Sequence, residues 1–64
     1  MSLIKVLIID DETAGIFAIE HLLSTYTDKV VLVGSARNIE EAWEIINKSR
    51  PDLIFLDLQM PRGS

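Results

Sequence analysis

Two short apolar runs, each ending in aspartate, organise the polar and hydrophobic pattern of this chain. The first is Leu3-Ile4-Lys5-Val6-Leu7-Ile8-Ile9, followed by Asp10-Asp11, and the second is Leu53-Ile54-Phe55-Leu56, followed by Asp57. Runs this short, rich in Ile, Leu and Val and bounded by polar residues, predict buried parallel strands. A third run, Val30-Val31-Leu32-Val33-Gly34, is β-branched and apolar and predicts another strand between them.

The intervening stretches have helical spacing. Thr13 is the expected N-cap of a first helix reaching about Thr25, and Glu12 suits a helix N-terminus. Its expected apolar stripe is Ala14, Phe17, Ala18 and Leu22, widened by Ile16, Ile19 and Leu23. Gly15 weakens this helix by about 1 kcal/mol relative to Ala without forbidding it. Thr27-Asp28-Lys29 is a polar break. Asn38 is the expected N-cap of a second helix, with Glu40 and Glu41 in its first turn. Ile39, Ala42, Trp43 and Ile46 recur at i, i+3, i+4 and i+7, which carries that helix to about Lys48 and puts Trp43 in the core or at its boundary. Pro51-Asp52 closes the connection to the last strand.

The element order is therefore β-α-β-α-β. Parallel crossovers are right-handed in nearly all proteins. With the first strand central and a strand order 2-1-3, the two crossovers run in opposite directions and put their helices on opposite faces. A crevice then opens between strands one and three, at the carboxyl ends where open α/β sheets place their ligand chemistry. Asp10, Asp11 and Asp57 are predicted to converge there.

Composition narrows the class. The 64 residues are 48% hydrophobic and 25% charged, a globular balance. A domain this small buries only roughly 60% of its unfolded surface. The absence of cysteine excludes disulfides and Cys-based zinc sites and fits a cytoplasmic setting. A net charge of -4 argues against a nucleic-acid surface. No apolar run approaches the ~20 residues of a membrane span, and the first lacks the flanks of a signal peptide.

Three adjacent carboxylates repel one another unless a cation or a proton intervenes. A hard, oxygen-seeking ion such as Mg²⁺ suits them. A carboxylate beside it can attack a phosphoryl group and form an aspartyl-phosphate. Taken singly, an aspartate after a strand caps a helix or starts a turn; the convergence of three sets this group apart. A haloacid-dehalogenase-type phosphatase needs Asp-x-Asp after strand one, whereas the order here is Asp10-Asp11-Glu12, without the Thr expected there. His21 falls within helix one, outside the context of a phosphodonor helix, and reads as a partly exposed helix residue. Glu40, Glu41 and Glu44 read as a solvated face.

Val6-Leu7-Ile8-Ile9-Asp10-Asp11-Glu12 and Pro51-Asp52-Leu53-Ile54-Phe55-Leu56-Asp57-Leu58-Gln59-Met60-Pro61 together resemble a two-component response-regulator receiver domain. The resemblance covers essentially the whole chain. It implies a flavodoxin-like open parallel sheet, with Asp57 as phosphoacceptor. It implies further that Mg²⁺ is held by Asp11 directly, by Asp10 in support, by Asp57 and by the backbone carbonyl of Gln59. The family implies phosphotransfer from a histidine kinase and slow self-dephosphorylation, a phosphoryl acceptor and not an enzyme in its own right. The family fold has five strands and five helices, so residues 1–64 correspond to its N-terminal half. The hydroxyl residue after strand four, the aromatic switch residue and the lysine after strand five have no counterpart here. Lys5 and Lys29 fall in the wrong places to replace that lysine. A half-domain with strand three as an unpaired edge is also expected to self-associate as a homo-oligomer. The alternative function is accordingly a self-associating structural module without signalling activity.

Overall fold

A computed structural model describes residues 3–57 of the chain. The elements follow in the expected order: β1 (Ile4–Ile9), α1 (Thr13–Tyr26), β2 (Val30–Ala36), α2 (Ile39–Ser49) and β3 (Leu53–Leu56). The sheet order is β2-β1-β3, with both pairings parallel. This is the flavodoxin-like arrangement expected from the sequence.

The central strand explains the core. Alternate β1 side chains enter two separate apolar clusters, as the period of two requires. Val6 and Ile8 pack with Ile16, flanked by Ile19, Leu23, Val30, Leu32 and Phe55. Leu7 and Ile9 pack with Ala36 and Ala42, flanked by Ile45 and Ile46. Helices α1 and α2 therefore cover opposite faces of β1, as right-handed crossovers from a central strand require.

Strand β2 runs two residues beyond the expected Gly34, to Ala36, and changes parity on the way. Val6 pairs with Leu32 but Leu7 pairs with Gly34, so Val33 is one residue extra. A residue inserted in this way redirects the side chains beyond it. Before the shift, Val30 and Leu32 join the α1 cluster. After it, Ala36 joins the α2 cluster. A Cβ on Gly34 would stand 3.1 Å from two carbons of Ile45, so glycine here admits α2 close to the strand.

Both helices depart from the expected pattern in detail. The N-cap of α1 is Glu12, not Thr13, which is already helical, and no side chain caps it. The buried side of α1 is the Ile16, Ile19, Leu23 side. The expected stripe of Ala14, Phe17, Ala18 and Leu22 is turned outward, with Phe17 62% exposed. The larger β-branched Ile side chains fill the space over Val6 and Ile8 instead. Trp43 is likewise 62% exposed and stands outside the core, because α2 is rotated to bring Ile45 toward the sheet beside Ala42 and Ile46.

Asn38 caps α2 as expected: its side chain accepts the Glu41 N–H at 2.9 Å. Glu41 reaches back to accept the Arg37 N–H at 2.9 Å, one residue earlier than in a standard capping box. The helix ends at Arg50, in the left-handed region with φ 48, whose N–H bonds Ile46 O at 3.0 Å. Pro51 follows and cannot continue a helix. Lys5 Nζ donates to Ser49 O at 3.0 Å, placing a cation on the last turn.

Candidate functional site

The site is built by strand register. β1 and β3 pair from Val6↔Leu53 to Ile9↔Leu56. The residues that follow the two strands, Asp10 and Asp57, leave the sheet side by side. Asp57 N–H continues the ladder by donating to Ile9 O at 3.0 Å. On the opposite side, Asp10 N–H donates to Ala36 O at 2.9 Å. The aspartate backbones are thus fixed by sheet hydrogen bonds although their side chains stand beyond the sheet.

The three predicted carboxylates meet. Asp10, Asp11 and Asp57 each offer one oxygen, and these oxygens lie within 4.8 Å of one another. All three residues are half-buried. A cleft of about 190 Å³ opens beside them, lined by Ile8, Ile9, Ile19, Phe55 and Leu56 together with Asp10 and Asp57. Its apolar wall makes the carboxylates the polar feature of the cleft.

Asp10 also holds the β1–α1 turn. Its Oδ1 accepts the Glu12 N–H at 2.9 Å, an Asx turn that supplies the entrance of α1 with an anionic acceptor. The family of contacts around Asp10 includes Gly15, which stands directly against its carboxylate. In the sequence Gly15 signals only a weakened helix; its place in the site depends on the path of α1, which no local pattern encodes.

The remaining candidates fall elsewhere. Gln59 lies outside the described residues. His21 is exposed on α1, where its carbonyl accepts the Ser24 hydroxyl at 2.9 Å. Glu40, Glu41 and Glu44 are exposed along α2, as a solvated face should be.

Similarity to known proteins agrees with this geometry. The model of the response regulator receiver domain matches residues 6–64. The transcriptional regulatory protein BtsR of Salmonella typhi is 45% identical over 62 residues, covering 97% of this chain and 26% of its own length. The sensory transduction protein LytT of Bacillus cereus is 40% identical over 58 residues, covering 91% of this chain and 23% of its own length. An uncharacterized response regulatory protein of Shewanella oneidensis is 41% identical over 64 residues. No solved structure matches the chain significantly. An open parallel sheet with an acidic cluster at its carboxyl ends, matched along nearly its whole length by one family, defines the class. The chain belongs to the response regulator receiver domain family. It spans about a quarter of the length of the curated relatives it matches.

Proposed function

We propose that this chain is the N-terminal half of a phospho-accepting receiver in a two-component system, with Asp57 as the acceptor. The observation that carries the reading is the approach of Asp10, Asp11 and Asp57 to within 4.8 Å at the carboxyl ends of β1 and β3. Three oxygen donors with this spacing suit a hard divalent cation, and Mg²⁺ fits the donor chemistry. Asp10, Asp11 and Asp57 would hold it, with the Gln59 carbonyl as a further donor. When bound, such an ion neutralises charge on the carboxylates and on the phosphoryl oxygens.

Asp57 is the nucleophile in this reading because it follows β3 at the mouth of the cleft, the place where the resemblance to receivers puts the phosphoacceptor. One of its carboxylate oxygens forms a bond to phosphorus as the bond from phosphorus to the donor imidazole of a histidine kinase breaks, and the imidazole leaves with its electron pair. Asp10 and Asp11 stay unmodified. The product is an acyl phosphate that hydrolyses slowly, so the domain is a signalling acceptor and not an independent enzyme. Kinase, receiver and phosphotransfer belong in the cytoplasm, where phosphodonors and Mg²⁺ are found. The net charge of -4 supports no nucleic-acid contact through this segment, and no described helix is long and apolar enough to cross a membrane.

Exposure to a small phosphodonor and Mg²⁺, in a chain carrying a whole receiver, tests the assignment. Borohydride reduction and mass spectrometry should place the label on Asp57. Label retained at wild-type yield in Asp57→Asn would overturn it. The 64 residues alone should accept phosphate poorly, because the transferred group lacks the lysine and hydroxyl that help stabilise it in the family.

A second reading rests on a separate observation. Helix α1 leaves Phe17, Leu22 and Tyr26 exposed besides the Ile16, Ile19 and Leu23 that it buries, and exposed apolar surface of this kind finds partners. Strand β3 pairs only with β1 among the described residues, and Leu53, Ile54 and Leu56 are exposed on it. On this reading the 64-residue chain by itself is a self-associating module, a homo-oligomer without signalling activity.

A further inference from the structure

Gly15 is the third residue of α1, where alanine is the better helix former. Its backbone is not in the left-handed region, so conformational freedom does not account for it. Space does. A Cβ at this position would overlap Asp10 Oδ2 and stand 2.8 Å from Asp10 Cγ and 3.3 Å from Oδ1. The overlapped atoms belong to a short side chain whose other oxygen is already committed. Oδ1 accepts the Glu12 N–H at 2.9 Å, while the Glu12 side chain makes no cap bond of its own.

We propose that Gly15 is a positioning residue for Asp10: lacking a side chain, it lets the carboxylate lie against the first turn of α1 while keeping its place in the acidic cluster. A methyl group there cannot coexist with the present rotamer. Oδ2 must then move off the helix, and a turn of the carboxylate that frees it also disturbs the Oδ1 bond to the Glu12 N–H. Gly15 thereby determines how Asp10 is shared between two tasks, closing the β1–α1 turn and facing Asp11 and Asp57. The consequence for a cation rests on the reading of the cluster given above; the steric coupling of Gly15 and Asp10 does not.

The test is a double-mutant cycle on the 64-residue chain, with Gly15→Ala made in the wild type and in Asp10→Ala. In Asp10→Ala the added methyl meets no carboxylate, and the melting midpoint should rise as alanine replaces glycine in a helix. With Asp10 present the rise should vanish or reverse, and the Glu12 amide resonance should move. A chain that unfolds on Gly15→Ala only when Asp10 is present supports the same coupling. Equal midpoint changes in the two backgrounds, or unfolding in both, overturn the proposal. A Mg²⁺ titration separates this result from the cation reading. Coupled midpoints without any Mg²⁺ response in the wild type overturn the cation reading alone. A Mg²⁺ response with uncoupled midpoints overturns the role of Gly15 alone.

Discussion

Lys5 and Asp52 hold each other twice across the start of the β1–β3 pair: Lys5 N–H donates to Asp52 Oδ2 at 2.9 Å, and Asp52 N–H donates to Lys5 O at 2.8 Å. One side chain and two backbones thus pin the register one step before Val6↔Leu53. The same register, continued through Ile9↔Leu56, delivers Asp57 beside Asp10 at the far end. A slip of one residue would turn every β3 side chain to the opposite face and take Asp57 out of the cluster.

Asp52→Ala should therefore destabilise the chain by about 0.5–1.5 kcal/mol, the net worth of a hydrogen bond. Asp52→Asn keeps an acceptor oxygen and should lose less. Urea denaturation midpoints of the two variants check this order; equal midpoints would remove the clamp from the account.

At the opposite edge, the Asn38 cap should be worth about 1 kcal/mol, so Asn38→Ala should lower stability by that amount. Glu41→Ala should add a smaller loss, because it removes the acceptor of the Arg37 N–H. The two residues share one cap, so their effects should not add. Denaturant titration of the single and double variants reads this directly.

The 64-residue chain should self-associate. An apolar edge such as β3 templates pairing with another strand, and exposed apolar patches find partners. Two-fold pairing of β3 edges would run antiparallel and close as a dimer. Sedimentation across a concentration series checks it: a folded monomer at high micromolar concentration would contradict the expectation. Phe17→Glu would weaken an association that uses α1 and spare one confined to β3.

The strand order was legible because three short apolar runs and the handedness of crossovers leave little choice. Convergence of Asp10, Asp11 and Asp57 followed from that topology and needed no contact information. The buried side of α1 was not legible. Ile16, Ile19, Leu23 and Ala14, Phe17, Ala18, Leu22 are both apolar at helical spacing, and only the shape of the sheet selects the first. Trp43 was misplaced for a related reason: Ile45, absent from the expected stripe, wins the contact with the sheet at Gly34. The parity change at Val33 and the contact of Gly15 with Asp10 depend on how separate elements approach, and periodicity carries no trace of either.

The most direct measurement is a Mg²⁺ titration followed by amide NMR. Shifts at Asp10, Asp11 and Asp57 should move together, with one common half-saturation concentration, and should disappear in Asp11→Ala while the fold is retained. Trp43 is exposed on α2 and is not one of the cluster residues, so its fluorescence is not a substitute readout. Absence of any localised response at millimolar Mg²⁺, or a response unchanged in Asp11→Ala, would contradict the claim that these three carboxylates form one cation site.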